Sequence, residues 1–340
     1  MNKIRQNVLP ILAAIIWGLA FSAQADCAEK GMEPFTFNMS RALIATVVLF
    51  FVAVIFSRGF TNLFAQLKDK TYLKNLILGG LCCGGALFLA SNLQQAAFST
   101  DTESGKVGFI TVFYLMLVPI FGLFVKKKAT INVWVSVIIA MIGMYFLCVE
   151  NETSFNVNIH DVYAFLCAIM FAVQILFIDH FVNKVNGVHL SFMQFFFVTV
   201  FSFIGMLLFE SPTLPSFKEC FWQITYVGVF SSGVAYTLQI IAQKDSNPTV
   251  VSLLLSLESV FAVIFGAIIL KEVMSLREYI GCGIMFFAVV LAQLPTFKIK
   301  NKLSLILIIL SIVLIALVCV HWAFLLAGIF LFISAILFRK

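Results

Sequence analysis

Apolar residues come in long runs, broken at short intervals by small clusters of charged and turn-forming residues, and this pattern repeats along almost the whole chain. The runs lie near residues 8–25, 35–56, 75–97, 105–125, 131–149, 160–182, 189–209, 221–243, 248–270 and 277–294. Each is close to the roughly 20 apolar residues a helix needs to cross about 30 Å of hydrocarbon. A bilayer offers no water to the backbone, so each run is predicted to be a helix, which satisfies its own N–H and C=O groups. The connections hold about five to about eighteen residues, too few for an extramembrane module.

The last apolar stretch, Leu303 to Phe338, is 36 residues long and would reach about 54 Å as one helix, well beyond a single crossing. Two short spans fit better, with His321 and Trp322 at the turn. Basic residues at both ends (Lys298, Lys300 and Lys302; Arg339 and Lys340) place those ends in the cytoplasm. Ten spans and this pair give twelve, and one long tilted or bent helix is the alternative for the tail.

Composition agrees with the pattern: 62% of residues are hydrophobic, 11% are charged and 39 are Phe, with a mean hydropathy of +1.06. These values lie far outside the soluble globular range. The net charge of +6 is mostly topological. With the N-terminus inside, 16 of the 22 basic residues fall on inner segments: Lys3, Arg5, Arg58, Lys68, Lys70, Lys74, Lys126, Lys127, Lys128, Lys184, Lys244 and the five tail residues above. The outer loops hold most of the acids, among them Asp26, Glu33, Asp101, Glu152, Glu210 and Glu272. No basic face with interleaved aromatics is present, so nucleic acid is not an expected partner. A cytoplasmic membrane protein of bacterial type, with both termini inside, is expected.

Two features can be read in more than one way. Lys3, Arg5, the following apolar stretch and Ala23-Gln24-Ala25 imitate a secretory signal with its cleavage site, whereas the internal repetition makes the first helix part of the fold. The eight cysteines show no CxxC or metal spacing, and six of them sit inside spans as small packing residues. Cys27 and Cys220 alone fall in outer loops, where a disulfide is conceivable. No metal or cofactor is expected.

Internal similarity divides the chain. LAAIIWGLA at 12–20 resembles LCAIMFAVQ at 166–174, and IFG at 120–122 recurs at 264–266, at offsets of 154 and 144. The second offset also sets Gln95 against Gln239, Asp101 against Asp245 and Tyr114 against Glu258. Each half holds five spans, and an odd number makes the second copy enter from the opposite side. The expected organisation is a first repeat over 1–150, a second, inverted repeat over 151–296 and a hydrophobic tail over 297–340.

Polar groups at membrane depth are costly unless they face protein or water, which makes them candidates for a site. Arg41 lies about 10 Å below the outer boundary, seven residues past Pro34, and Lys106 begins the fourth span. Asn92 and Gln95 share one face of the third helix, as Tyr236 and Gln239 do on the eighth. Trp17, Asn38, Gln94, Tyr114, Gln174 and Gln194 complete the set, with interhelical hydrogen bonding as the plain alternative for each amide. Glu258 stands about 16 Å in from Asn247, near the midplane where carriers place substrate and coupling-ion sites. Desolvation there favours the neutral acid, and a nearby Arg41 or cationic substrate favours the carboxylate, so Glu258 is expected to exchange a proton. Its alternative is a permanently protonated hydrogen-bond donor between helices. Gly80 and Gly84 form a GxxxG pair suited to close helix packing.

In order and spacing, Trp17-Gly18 with Phe21, then Pro34 and Arg41, GFITVFYLMLVP over 108–119, and Leu257-Glu258 followed by Leu270-Lys271-Glu272 resemble the EamA branch of the drug/metabolite transporter superfamily. The resemblance covers residues 8–294 and implies ten helices in two inverted five-helix repeats around a central cavity, moving small metabolites. The chain departs from that pattern at Ser259, where a proline commonly follows the glutamate, at Lys126-Lys127-Lys128, which replace the acidic end of the first copy, and in its tail.

The function expected is a secondary transporter, an exporter of a small amphipathic or zwitterionic metabolite such as an amino acid, or of a drug, coupled to protons and acting as monomer or homodimer. An ATP-driven pump would need a GxxxxGK[ST] loop, which is missing. An enzyme would need a convergent constellation, yet the four His are scattered and the spans hold no Asp pair. A receptor or scaffold is the remaining alternative. The residues themselves leave substrate identity and direction open.

Overall fold

A computed structural model describes residues 3–98, 104–127, 129–148, 159–244, 246–265 and 275–294. The expected tail pair and the Leu270-Lys271-Glu272 segment lie outside the described residues. Among the described residues the secondary structure is entirely helical. In chain order these are α1 (Lys3–Glu29), α2 (Pro34–Phe56), short α3 (Phe60–Leu67), α4 (Lys70–Ala97), α5 (Ser104–Thr111), α6 (Tyr114–Phe124), α7 (Ile131–Cys148), α8 (Ile159–Phe181) and α9 (Gly187–Phe209). Then follow short α10 (Leu214–Glu219), α11 (Phe221–Tyr226), a π-helical segment (Val227–Ala235), α12 (Tyr236–Gln243), α13 (Pro248–Leu255), α14 (Glu258–Phe265) and α15 (Leu276–Gln293). Eight helical stretches among the described residues are long and apolar enough to cross a membrane, and Ile131–Leu147 is a shorter apolar helix.

Local chemistry sets the ends. Pro34 and Pro248 occupy the first turns of α2 and α13, where a missing N–H costs nothing. Asp69, Asn186 and Asn247 accept hydrogen bonds from the first-turn amides of α4, α9 and α13, and Ser275 with Glu278 forms a capping box on α15. Arg58 and Gly59 take positive φ angles of 57° and 111°, turning the chain sharply out of α2 into α3. The first amides of α2 are capped from a distant segment: Glu210 accepts from Phe35 N and Thr36 N, both at 2.7 Å, and from the Thr36 hydroxyl at 2.8 Å.

Two spans are broken, 144 residues apart. α5 gives way to α6 across Val112 and Phe113, and α13 to α14 across Ser256 and Leu257. At the first break, Phe113, Leu115 and Met116 bond three residues back, to Ile110, Val112 and Phe113, before Leu117 returns to the four-residue step. At the second, Leu257 and Ser259 bond three residues back, to Leu254 and Ser256, and Phe261 resumes the four-residue step to Leu257. Each is one turn of tighter helix inside an α-helical span.

Helix ends sort onto two faces: Glu33, Glu210 and Ser211 meet on one, while Ser57, Tyr72 and His189 meet on the other. Packing is dense where small residues allow it. A side chain at Gly84 would meet Gln194 O of α9 at 2.7 Å, and one at Gly80 would meet Met193 Cβ at 2.6 Å, so the GxxxG pair seats α4 on α9. α2 lies along α9, α4 along α8, α7 along α15 and α1 against α14 and α12. One apolar core joins α6, α7, α13, α14 and α15 through Leu115, Val118, Met144, Leu254, Val260 and Met285. A second joins α2, α4 and α9 through Leu49, Leu87 and Phe195. Outward-facing Phe51, Phe56, Phe124 and Phe209 are exposed, as lipid-facing side chains are.

Candidate functional site

The broken spans, α1, α2, α4, α8, the π-helical segment and α12 line a cavity whose space, open mouth included, is about 530 Å³. Glu258 and Tyr114, the first residues after the two breaks, both line it, together with Leu255. Trp17, Phe21, Phe171, Ile175 and Tyr236 form an apolar and aromatic wall, and Gln24, Gln94, Gln174, Gln239 and Ser231 add polar groups.

Arg41 enters the cavity from α2, four per cent exposed. Its Nη1 donates to Gln24 Oε1 at a long 3.4 Å, and its guanidinium lies 5.6 Å from the Phe37 ring. Among the described residues no carboxylate forms an ion pair with Arg41, and Glu258 has no hydrogen-bond or ion-pair partner. Tyr236 lies within electrostatic reach of both. Arg41 and Glu258 thus line one pocket, neither with an ion-pair partner among the described residues, and an ionisable group buried without a partner is costly.

The wall is tied together by directional contacts. Trp17 Nε1 donates to Ser231 O at 3.4 Å, and the Trp17 and Tyr236 rings are 4.7 Å apart. Ser231 belongs to the π-helical segment, whose wider turn exposes that carbonyl to α1. Gly18, beside Trp17, lets α1 lie directly on α14: a side chain there would meet Ala262 N, Glu258 O and Phe261 Cβ, each at 2.8 Å. Gln239 Nε2 donates to Gln174 Oε1 at 3.4 Å, and Gln174 Nε2 to Gln194 Oε1 at 3.1 Å. Gln239 Oε1 and Gln194 Nε2, at the two ends of this chain, are buried without partners.

Of the thirteen residues expected from the sequence, Glu258, Arg41, Trp17, Gln94, Tyr114, Gln174, Tyr236 and Gln239 line the cavity, and Gln194 is reached through Gln174. Asn38, Asn92 and Gln95 stand behind its wall. Asn38 Nδ2 donates to Pro34 O, Ser91 O and Asn92 Oδ1, and Asn92 Nδ2 to Phe88 O, so this pair staples α2 to α4. Gln95 Nε2 donates to Gln24 O at 3.1 Å and thereby holds the residue that touches Arg41. Lys106 opens α5 with a side chain outside the described residues. Phe171 and Ile175 escape a search for polar groups at membrane depth, although the 154-residue offset that aligns 12–20 with 166–174 sets them opposite Trp17 and Phe21. Gln24 is hidden in the segment that imitates a cleavage site.

The sequence pattern of the EamA-like transporter family matches residues 6–149 and again residues 158–294. The chain belongs to the EamA-like transporter family. This family is part of the drug/metabolite transporter superfamily, so the chain is a multi-pass membrane transporter. Among similar proteins are two from Archaeoglobus fulgidus, each named an uncharacterized transporter. One is 30% identical over 284 residues, covering 83% of this chain and 84% of its own length. The other is 26% identical over 292 residues, covering 85% and 98%. A Methanothermobacter thermautotrophicus protein of the same name is 23% identical over 309 residues, covering 85% and 86%. A solved structure titled only as the crystal structure of a protein matches with a TM-score of 0.67 at 16% identity, over 85% of this chain and 96% of its own. That likeness extends to the fold.

Proposed function

We propose that this EamA-family protein is a secondary transporter that exports a small zwitterionic or amphipathic metabolite of the amino-acid class by alternating access of two inverted repeats, with Glu258 as the proton-coupling residue. The observation that carries this reading is that Arg41 and Glu258, neither with an ion-pair partner among the described residues, line one cavity built at two helix breaks 144 residues apart. Discontinuous helices at corresponding positions of two halves are where carriers hold substrate and coupling ion.

Several features support the repeat. α2 and α9 are both 23 residues long with bounds 153 apart, and α7 and α15 are both 18 residues long with bounds 145 apart. The major pairings also exchange into one another under a shift of five spans. Contacts of α4 with α8 become those of α12 and the π-helical segment with α1, while α1 with α14 becomes α8 with α6; α2·α9 and α7·α15 map onto themselves. The repeats then correspond to residues 1–150 and 151–296, in a cell membrane with both termini inside.

In this reading Arg41 holds the carboxylate of the substrate, the aromatic wall takes its side chain, and Glu258 faces its ammonium group or, when the site is empty, a proton. The test is counterflow of amino acids in proteoliposomes, following a thermal-shift screen, because a ligand of the native state raises apparent stability. Glu258→Gln imitates the protonated acid. It should still exchange substrate yet fail to accumulate it under an imposed pH gradient. Accumulation in the variant at the wild-type level would remove the coupling role, and the lack of any counterflow by the wild type would remove the carrier reading in favour of a receptor.

A further inference from the structure

Cys27, in the last turn of α1, and Cys220, at the joint between α10 and α11, are both fully buried in one small cluster with Ala20, Met32, Phe37, Ile224 and Val227. The two cysteines share that buried cluster and lie within interaction range of one another. The same junction carries a polar contact, Gln223 Nε2 donating to Asp26 Oδ2, and Lys30 Nζ lies 2.6 Å from that carboxylate oxygen. The junction joins segments 193 residues apart in sequence (220 minus 27). Gln24, which touches Arg41, stands one turn below Cys27. The junction beside this end of α1 therefore brings together two buried thiols from segments far apart in sequence.

We propose that Cys27 and Cys220 form a redox-controlled staple between the ends of α1 and α11, on the face that the charge pattern assigns to the exterior. Disulfides persist in oxidising compartments such as the exterior. The step is thiol–disulfide exchange with an oxidising disulfide outside the cell. One cysteine thiolate attacks R–S–S–R and releases R–SH. The second then attacks the mixed disulfide and releases the other R–SH, so Cys27-S–S-Cys220 forms and the oxidant takes up two electrons and two protons. Both thiols are fully buried, so the reaction proceeds only when the junction opens. The oxidised form keeps the ends of α1 and α11 together.

The test uses the full chain in membranes. Samples are exposed to oxidised glutathione or to diamide, quenched with N-ethylmaleimide and denatured, and their thiols are counted by mass beside a dithiothreitol-treated control. Of the eight cysteines, two fewer should be alkylated after oxidation, and peptide mapping should find residues 27 and 220 linked. The oxidised protein should melt several degrees higher, with the gain lost on reduction. Neither change should appear in Cys27→Ser or Cys220→Ser. Eight reactive thiols after oxidation of the wild type, a link between other cysteines, or a linked protein with unchanged melting would each overturn the staple. Mapping of the wild type decides the matter even where a serine variant does not fold, and none of these readouts depends on substrate transport.

Discussion

Gly18→Ala tests whether the contact between α1 and α14 shapes the site. The added methyl would lie 2.8 Å from Ala262 N, Glu258 O and Phe261 Cβ, against an ordinary separation of about 3.5 Å or more between such atoms. Two of the three are backbone atoms that cannot swing aside, so the helices must part by about 0.7 Å or α14 must bend at its break. Overpacking of this kind costs about 1–3 kcal/mol. Alanine recovers up to about 1 kcal/mol of helix propensity. Strain therefore wins by about 1–2 kcal/mol, which corresponds to a melting temperature lower by a few degrees.

The displacement falls on Glu258, so ligand affinity should weaken several-fold while the protein remains folded. The assay is thermal denaturation in detergent with and without the amino acid that most stabilises the wild type, and Gly283→Ala is the control. A methyl group added at Gly283 would have no atom within 4 Å, so this alanine variant should match or slightly exceed wild-type stability. A Gly18→Ala protein with wild-type melting and affinity would refute the argument that α1 rests directly on the second helix break.

Arg41→Lys should weaken binding of an anionic group roughly tenfold, since a bidentate fork is exchanged for a point charge; unchanged affinity by calorimetry would return Arg41 to a structural role. Asn92→Leu should destabilise by about 0.5–1.5 kcal/mol, the net worth of the interhelical hydrogen bond to Asn38, while leaving ligand affinity unchanged in the same titration. Glu210→Ala removes the cap of α2 and should lower stability by about 1–2 kcal/mol, read as a drop in melting temperature with no change in binding. Cysteines introduced at Lys127 and Lys300 should react with an impermeant maleimide only from the cytoplasm, and one at Glu152 only from outside; labelling of all three from one side would overturn the inverted topology.

The spans are legible because each is a long apolar run, and helix is what such a run becomes in lipid. The breaks are not. Val112-Phe113 and Ser256-Leu257 contain neither proline nor glycine, the usual punctuators; Pro119, a turn and a half past the first break, lies inside α6. The π-helical segment does carry Gly228 and Gly233, but a glycine inside a helical pattern marks a weak point without specifying a wider turn. The connection after α2 is too short for a module, yet Phe60, Leu63, Phe64 and Leu67 have helical spacing, and α3 forms there. Site residues divide by direction. Periodicity places Asn92 and Gln95 on one face, but it cannot say whether a face meets a cavity or a neighbouring helix. Asn38 and Asn92 therefore find each other, while Tyr236 and Gln239 find the cavity.

Under the proposed repeat, the cavity walls come in related pairs: Trp17 with Phe171 and Phe21 with Ile175 at an offset of 154, and Tyr114 with Glu258 at 144. The two charges do not. Glu258 faces a tyrosine as its counterpart, and the 153-residue offset of α2 and α9 sets Arg41 against neutral Gln194. If the halves exchange shapes to open the opposite side, the aromatic lining is regenerated in mirror order, whereas the single carboxylate and the single guanidinium stay where they are. One carboxylate then meets water from each side in turn, which is what coupling to a proton gradient requires; a second carboxylate at position 114 would leave each side its own acid. Tyr114→Glu should therefore uncouple proton movement from substrate movement, because a proton can then leave by the half that the substrate has not entered. The measurement is acidification of proteoliposomes holding a pH-sensitive dye, with and without substrate: the variant should leak protons without substrate, and a leak no larger than that of the wild type would refute the single-carboxylate argument.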